Sequence, residues 1–192
     1  MGVHDGDTIE ELVDEYLAAR EPHDRDVVTP ADAAGAVAAL LARGRARTPG
    51  TRIVAVGNPS RAVDGWESPH TVVDVVSDDA PFLVDSVSSA LARRGYDIHL
   101  EFRPLLGGPL LDGPLLDGSA GLTSYLHLEI DRETEPAVLD AVRTEVESVV
   151  DDVFAAVADW DALRAEVAEF AAALRASPPA GVTPEETAEV AT

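Results

Sequence analysis

Two sets of residues in this sequence carry side chains suited to chemistry. The first is Asp78-Asp79-Ala80-Pro81-Phe82-Leu83, two carboxylates and a proline leading into an apolar run. Asp caps orphan N–H groups, Pro is tolerated in a first helical turn, and that end of the helix dipole attracts anions. Such a turn is a candidate site for a carboxylate-bearing ligand held by the helix N–H groups. The second set is His99, Glu101 and Arg103 in one alternating segment, with His127 and Glu129 in another. Alternate positions of a strand share a face, so antiparallel pairing of the two segments would gather all five on one polar face. His and carboxylates so placed can share a metal ion. A paired, partly solvated sheet face that neighbouring elements cover asks for less and is the reading adopted. No metal ligand and no catalytic residue is assigned.

The elements that must position these residues follow from periodicity. Thr71–Ser77 is rich in β-branched residues and reads as a strand. Leu83, Val87 and Leu91 then recur every fourth residue, with Val84 and Ala90 beside them, as one helical stripe that ends at Gly95. Ile98, Leu100 and Phe102 alternate with charged residues as a second strand, and Leu122–Asp131 alternates as a third. Arg52–Gly57 reads as a further strand stopped by Asn58-Pro59, with Trp66 in the following loop as a lid over the sheet edge. Upstream, Thr8 and Glu11 form a capping box before Ile9, Leu12, Val13, Tyr16 and Leu17 at helical spacing, and Pro22 ends that helix. A second helix starts at Thr29-Pro30-Ala31-Asp32, carries Val37, Leu40 and Leu41, and ends near Gly44. Arg43, Arg45, Arg47 and Arg52 form the dense basic patch, read as dipole compensation on a solvated surface.

Composition narrows the classes. A chain of 192 residues can bury one good core with extensions. Cysteine is absent, which excludes disulfides and thiolate chemistry. A formal charge of −22 argues against nucleic acid and anionic membranes as partners. All 14 basic residues are Arg, and usage of this kind fits a high-GC genome more simply than salt adaptation. No apolar run is long enough to span a membrane, so a cytoplasmic location is expected. No Gly-rich phosphate loop follows a strand, and no lysine is present to polarise a keto acid.

The skeleton of Val73, Asp79, Pro81, Leu83, Val87, Leu91, Gly95 and Ile98 resembles an ACT domain, the ferredoxin-like βαββαβ module of amino-acid metabolism. The fuller pattern is narrower. Gly65-Trp66-Glu67-Ser68-Pro69-His70, Asp78–Val87, Asn58-Pro59 and His127-x-Glu129-x-Asp131-Arg132 together are similar to the N-terminal region of the large bacterial NAD-dependent glutamate dehydrogenases. The resemblance covers roughly residues 48–163. It implies a non-catalytic regulatory or assembly domain of a homo-oligomeric enzyme of amino-acid catabolism that oxidises glutamate to 2-oxoglutarate and ammonia. NAD would bind elsewhere in that enzyme, with no cofactor in this segment, and the partner would be the remainder of the same polypeptide. Two alternatives stand beside it: a free-standing amino-acid-sensing ACT module, and a scaffold that oligomerises through its C-terminal arm. Many amino-acid-binding ACT domains carry Gly at the position of Phe82, so here Phe82 is expected to fill the ligand space.

The expected architecture is α+β: an ACT/ferredoxin-like antiparallel sheet with helices on one face, an N-terminal helical pair and a C-terminal helical arm. Residues 1–48 form the helical segment, 49–131 the sheet core, 132–176 a long helix or helix pair, and 177–192 a flexible tail. Within the core, Gly107–Gly121 repeats Pro-Leu-Leu-Asp-Gly in tandem and reads as a mobile hairpin loop. In the arm, apolar residues step 3-4-3-4 from Leu139 through Val153, Trp160, Leu163, Val167 and Phe170 to Leu174. Val150 and Val157 widen the first half, which suits packing on a sheet. Asp159-Trp160-Asp161 is a candidate break, after which the distal half folds back and buries Trp160 or meets a second subunit. The fold-back is the expectation adopted.

Overall fold

The computed structural model describes residues 3–4, 9–20, 27–106 and 122–176. In chain order these form β1 (Val3–His4), α1 (Ile9–Ala18), α2 (Pro30–Ala46), β2 (Ile53–Gly57) and β3 (Thr71–Asp78). There follow α3 (Leu83–Arg93), β4 (Ile98–Phe102), β5 (Leu105–Leu106), β6 (Thr123–Ile130) and α4 (Pro136–Ala176). The chain divides into two compact units, Met1–Asp151 and Asp152–Thr192. The expected loop Gly107–Gly121, the tail from residue 177, the Thr8 capping box and the turn at Pro22 lie outside the described residues.

The first unit is an α+β sheet domain. β2, β3 and β6 run side by side, and β4 and β5 follow one another along the far edge of β6. Every pairing is antiparallel except the two-residue one between β1 and β5. Because β3 and β4 both oppose β6, the β3–α3–β4 unit leaves a one-strand gap that β6 fills. This is the split arrangement of an ACT-like fold. β2 stands outside β3, the place such a fold gives to its last strand.

Both faces of the sheet are covered. On one, Val72, Val76, Leu100, Phe102 and Tyr125 join Leu12 and Tyr16 of α1 and Ala33, Ala36, Val37, Leu40 and Leu41 of α2 in a single buried cluster. On the other, Val73, Val75, Leu126 and Leu128 are fully buried, as are Leu83, Val87 and Leu91 of α3 and Val142, Val146 and Val150 of α4. An ion pair between Arg94 and Glu145 ties α3 to α4, and Arg52 reaches Asp151 at 2.9 Å. The N-terminal helical pair thus occupies the face opposite α3 and α4.

Local sequence explains how α2 lies so close. Its first turn is capped by Thr29 Oγ1, which accepts the Asp32 amide at 3.2 Å, with Pro30 in the first helical position. Gly35 and Gly44 then leave room for aromatic rings. A Cβ at Gly35 would meet Trp66 Cβ at 2.4 Å, and one at Gly44 would meet the Tyr125 hydroxyl at 2.1 Å. Trp66 is therefore a buried wedge against α2, within the core. The basic patch is also less solvated than expected, because Arg43, Arg47 and Arg52 pair with Asp74, Asp78 and Asp151.

The helix α4 runs unbroken through Asp159-Trp160-Asp161, which holds neither Gly nor Pro to stop it. Trp160, Leu163, Val167 and Phe170 are 58, 51, 58 and 65% exposed. The expected break at Asp159-Trp160-Asp161 is absent from the helix, and Trp160 is exposed where the expectation had it buried.

Gly35→Ala tests the helix–Trp66 contact. Better helix propensity would contribute about 1 kcal/mol, whereas the clash with a ring packed by its own Cβ costs about 1–3 kcal/mol. Urea denaturation should show a net loss of stability, and an unchanged or higher midpoint would mean Trp66 yields freely.

Candidate functional site

The charged residues that alternation gathers on a sheet face are inside the protein. Asp74 of β3 lies directly opposite His127 of β6, and Val72 opposite Glu129, so Asp74, His127 and Glu129 share the face under α1 and α2. His127 Nδ1 donates to Asp74 Oδ1 at 2.7 Å, and its Nε2 lies 3.5 Å from the Tyr16 hydroxyl and 3.6 Å from Glu129 Oε1. Tyr16 donates to Glu129 Oε1 at 2.6 Å, and Arg20 donates to both the Tyr16 hydroxyl, at 2.8 Å, and Glu129. Arg43 Nε meets the other Asp74 oxygen at 3.3 Å. Tyr16 lies on the sheet-facing side of α1, and Arg20 follows four residues on, in the turn just past the helix's last residue, Ala18.

The cluster holds two buried carboxylates and two buried cations, so its charges cancel. Burial alone would strip the proton from His127, but Asp74's charge and hydrogen bond, with Glu129's, overcome it and raise the pKa to about 9. Burial alone would protonate Glu129, but hydrogen bonds and charge from His127, Arg20 and Tyr16 lower its pKa to about 2. Burial, then Glu129's charge, holds the Tyr16 phenol far above its ordinary range. Imidazolium, guanidinium and carboxylates are locked together, and none of them reaches solvent.

The five residues expected on one polar face do not share it. Ile98 opposes Ile130, but Leu100 opposes Glu129, so a bulge between them shifts the register and reverses the facing of β4. Leu100 and Phe102 therefore join His127 and Glu129, and Glu101 is exposed on the other side. His99 pairs with Asp131 at 2.8 Å and stacks on His70, ring centres 4.0 Å apart. Arg103 binds Ser124 Oγ and Asp79. Among the described residues no group of His, Asp and Glu has the placement to hold a metal ion.

Tyr16, Arg20 and Asp74 complete the cluster and stand outside the expected residues. Asp74 does carry a signal: one acid inside Val72-Val73-Asp74-Val75-Val76, a run otherwise fit for burial on both faces. A charge in such a run must find a partner in the core.

The acidic turn is already engaged as well. Asp78 pairs with Arg47 at 2.8 Å and Asp79 with Arg103 at 2.7 Å. Ala80 and Leu83 are buried, and Pro81 is exposed. Phe82 is the N-cap of α3, in the left-handed region at φ 64°, and its side chain is 73% exposed. It points out to solvent and fills no ligand space. A Gly at this position would supply the backbone freedom that the turn requires.

A cleft of about 240 Å³ opens beside the cluster, lined by Ala39, Arg43, Ala55, Gly57, Asp64 and Trp66. Ala55 and Gly57 leave it room on edge strand β2. Arg43 stands at its wall while bound to Asp74, so the cleft touches the end of the buried chain of charges.

Two measurements check this picture. Glu129's contribution to stability is present above its unfolded value near 4.5 and falls as pH drops toward 2. His127's contribution is full below about 6.5 and is lost as pH rises through about 9. Denaturation across pH should therefore give a stability plateau between roughly 4.5 and 6.5. His127→Gln should flatten the alkaline decline, which is assignable because the chain has no Lys or Cys to titrate there. A decline that persists unchanged in that variant would remove His127 from the account. For the turn, Phe82→Gly should raise stability by about 1 kcal/mol, because relief of the left-handed residue exceeds glycine's added chain entropy. A lower melting temperature would show that the exposed ring makes a stabilising contact.

Comparison with known proteins bears on the whole arrangement. The chain is 34% identical over 140 residues to the NAD-specific glutamate dehydrogenase of Halomonas elongata, covering 68% of this chain and 9% of that protein. It is 37% identical over 126 residues to the protein of the same name from Pseudomonas aeruginosa, covering 61% of this chain and 8% of that one. The chain thus spans less than a tenth of the length of these relatives. Residues 12–146 match the family described as glutamate dehydrogenase, ACT1 domain, from α1 through the proximal part of α4. The antiparallel sheet order is that of an ACT-like domain, the family match covers most of the chain, and the chain belongs to the glutamate dehydrogenase ACT1 domain family.

Proposed function

We propose that this chain is a non-catalytic regulatory and assembly domain working within an NAD-dependent glutamate dehydrogenase. The parent reaction would convert glutamate, NAD and water to 2-oxoglutarate, ammonia and NADH, in the cytoplasm, with the nucleotide bound by other parts of the same polypeptide. The observation that carries the reading is the sealing of the charge cluster. A general acid or base must come within hydrogen-bond reach of a substrate. Here His127, Glu129 and Asp74 are buried against one another and against α1 and α2, their hydrogen bonds all end within the fold, and the one Glu129 oxygen without a partner, Oε2, is itself buried. The candidate ligand turn is held by Arg47 and Arg103 in the same way. The cleft at Arg43 favours a second reading, amino-acid sensing, since it offers a guanidinium and a carboxylate, Asp64, across an apolar floor.

The purified chain mixed with glutamate and NAD should give no NADH absorbance above background. NADH formed by material free of host enzyme would overturn the non-catalytic reading. In a parent enzyme that carries this domain, its deletion should leave the chemical step measurable while altering effector response or assembly. Loss of every activity in a well-folded, correctly assembled deletion variant would argue for a direct catalytic role.

A further inference from the structure

The distal part of α4 carries an apolar stripe that no described residue of its own unit covers. Trp160, Leu163, Val167 and Phe170 step 3, 4, 3 along an unbroken helix, and each is more than half exposed. Isolated apolar residues on a surface need no explanation, but four in one line, two of them aromatic, mark an interaction surface. A 3-4 step is the spacing that one helix presents to another. We propose that this face pairs with the same face of a second copy of the chain, as a short parallel two-helix seam.

Charge selects that partner and that direction. With Trp160 and Val167 at the a positions and Leu163 and Phe170 at d, Asp159 and Glu166 fall at g and Arg164 at e. Among the described residues none of these three makes an ion pair, and all are exposed. In a parallel, in-register pair each g residue faces the e residue five positions on in the other helix. Asp159 then faces Arg164 of the second copy, and symmetry makes the contact twice. An antiparallel pair sets g against g and brings the acids together. β-branched Val167 at a with Leu163 at d also favours two strands over three. The seam is short, about 16 Å from Trp160 to Phe170. Its helix is already nucleated upstream from Pro136, so association need not supply the cost of starting it.

The inference deepens the assembly side of the proposed function, and its test reads association rather than glutamate chemistry, so either can fail alone. Sedimentation of the 192-residue chain over a concentration series should show a monomer–dimer equilibrium. Leu163→Asp and Phe170→Asp, both at exposed positions, should each weaken it by roughly tenfold or more while circular dichroism and melting temperature stay unchanged. A monomer at every concentration up to roughly 1 mM, the weak edge of specific association, would overturn the proposal, and the stripe would then belong to another partner. A dimer indifferent to both substitutions would overturn it too. Direction is read separately. The chain has no Cys, so Leu163→Cys and Phe170→Cys each introduce a single thiol. Both should cross-link to their own copies under mild oxidation, as only a parallel, in-register seam permits. Cross-linking at one position or at neither would overturn the parallel arrangement.

Discussion

A sheet covered on both faces has no wet side, and this constraint shapes the rest of the first unit. Strands buried twice over are ordinarily continuous apolar runs. β3 and β6 break that rule with Asp74, His127 and Glu129. Each charge in such a place is costly alone and tolerable only when neutralised and hydrogen-bonded. The cancellation is completed by Arg20, in the turn that directly follows α1, together with the phenol of Tyr16 on the helix itself. The core therefore cannot close with its charges satisfied until α1 is seated. A ten-residue helix has little stability of its own, so its position is decided by what it meets. Leu12 and Tyr16 supply apolar burial, and Glu129 and His127 specify where along the sheet α1 sits. The cluster thereby gives an N-terminal helix one address where greasy packing alone would allow several.

Much of this was legible in the sequence, and what was not has a physical reason. Helical and strand periods gave α1 to α3 and the four main strands, because each is a local pattern long enough to register. β1 and β5 are two residues each and leave no period to read. The facing of β4 was lost to a bulge whose cause is not local. Asp97 receives the Asp131 amide at 3.2 Å on its carbonyl and donates its own to the Asp131 carboxylate at 3.0 Å, and His99 takes the same carboxylate. These contacts anchor one end of the strand out of step with the other, and alternation carries no trace of a slip by one. Phe82 shows a different gap. The resemblance located the residue where ligand-binding relatives have Gly, but a residue type does not reveal which way its side chain turns from a left-handed backbone.

The two halves of α4 show how spacing announces the partner. In the first unit its buried valines are Val142, Val146 and Val150, each four residues on, with Val149 only half-buried. In the second unit the stripe steps 3-4-3, with an average near 3.5 residues. A period of 3.5 keeps a seam facing another helix as the two wind together, whereas the broader valine stripe suits a flatter, twisted surface. One continuous helix therefore carries two different surface designs in sequence, without a Gly or Pro between them to announce the change. Asp159-Trp160-Asp161 resembles a break in composition because acids flank an aromatic, yet neither acid takes a position of the 3-4 stripe and the helix continues through both. Polar residues interrupt a helix only when they compete for its backbone hydrogen bonds. Here they label the edge of a surface, and the sign of the label, acid at g and arginine at e, is what gives that surface a direction.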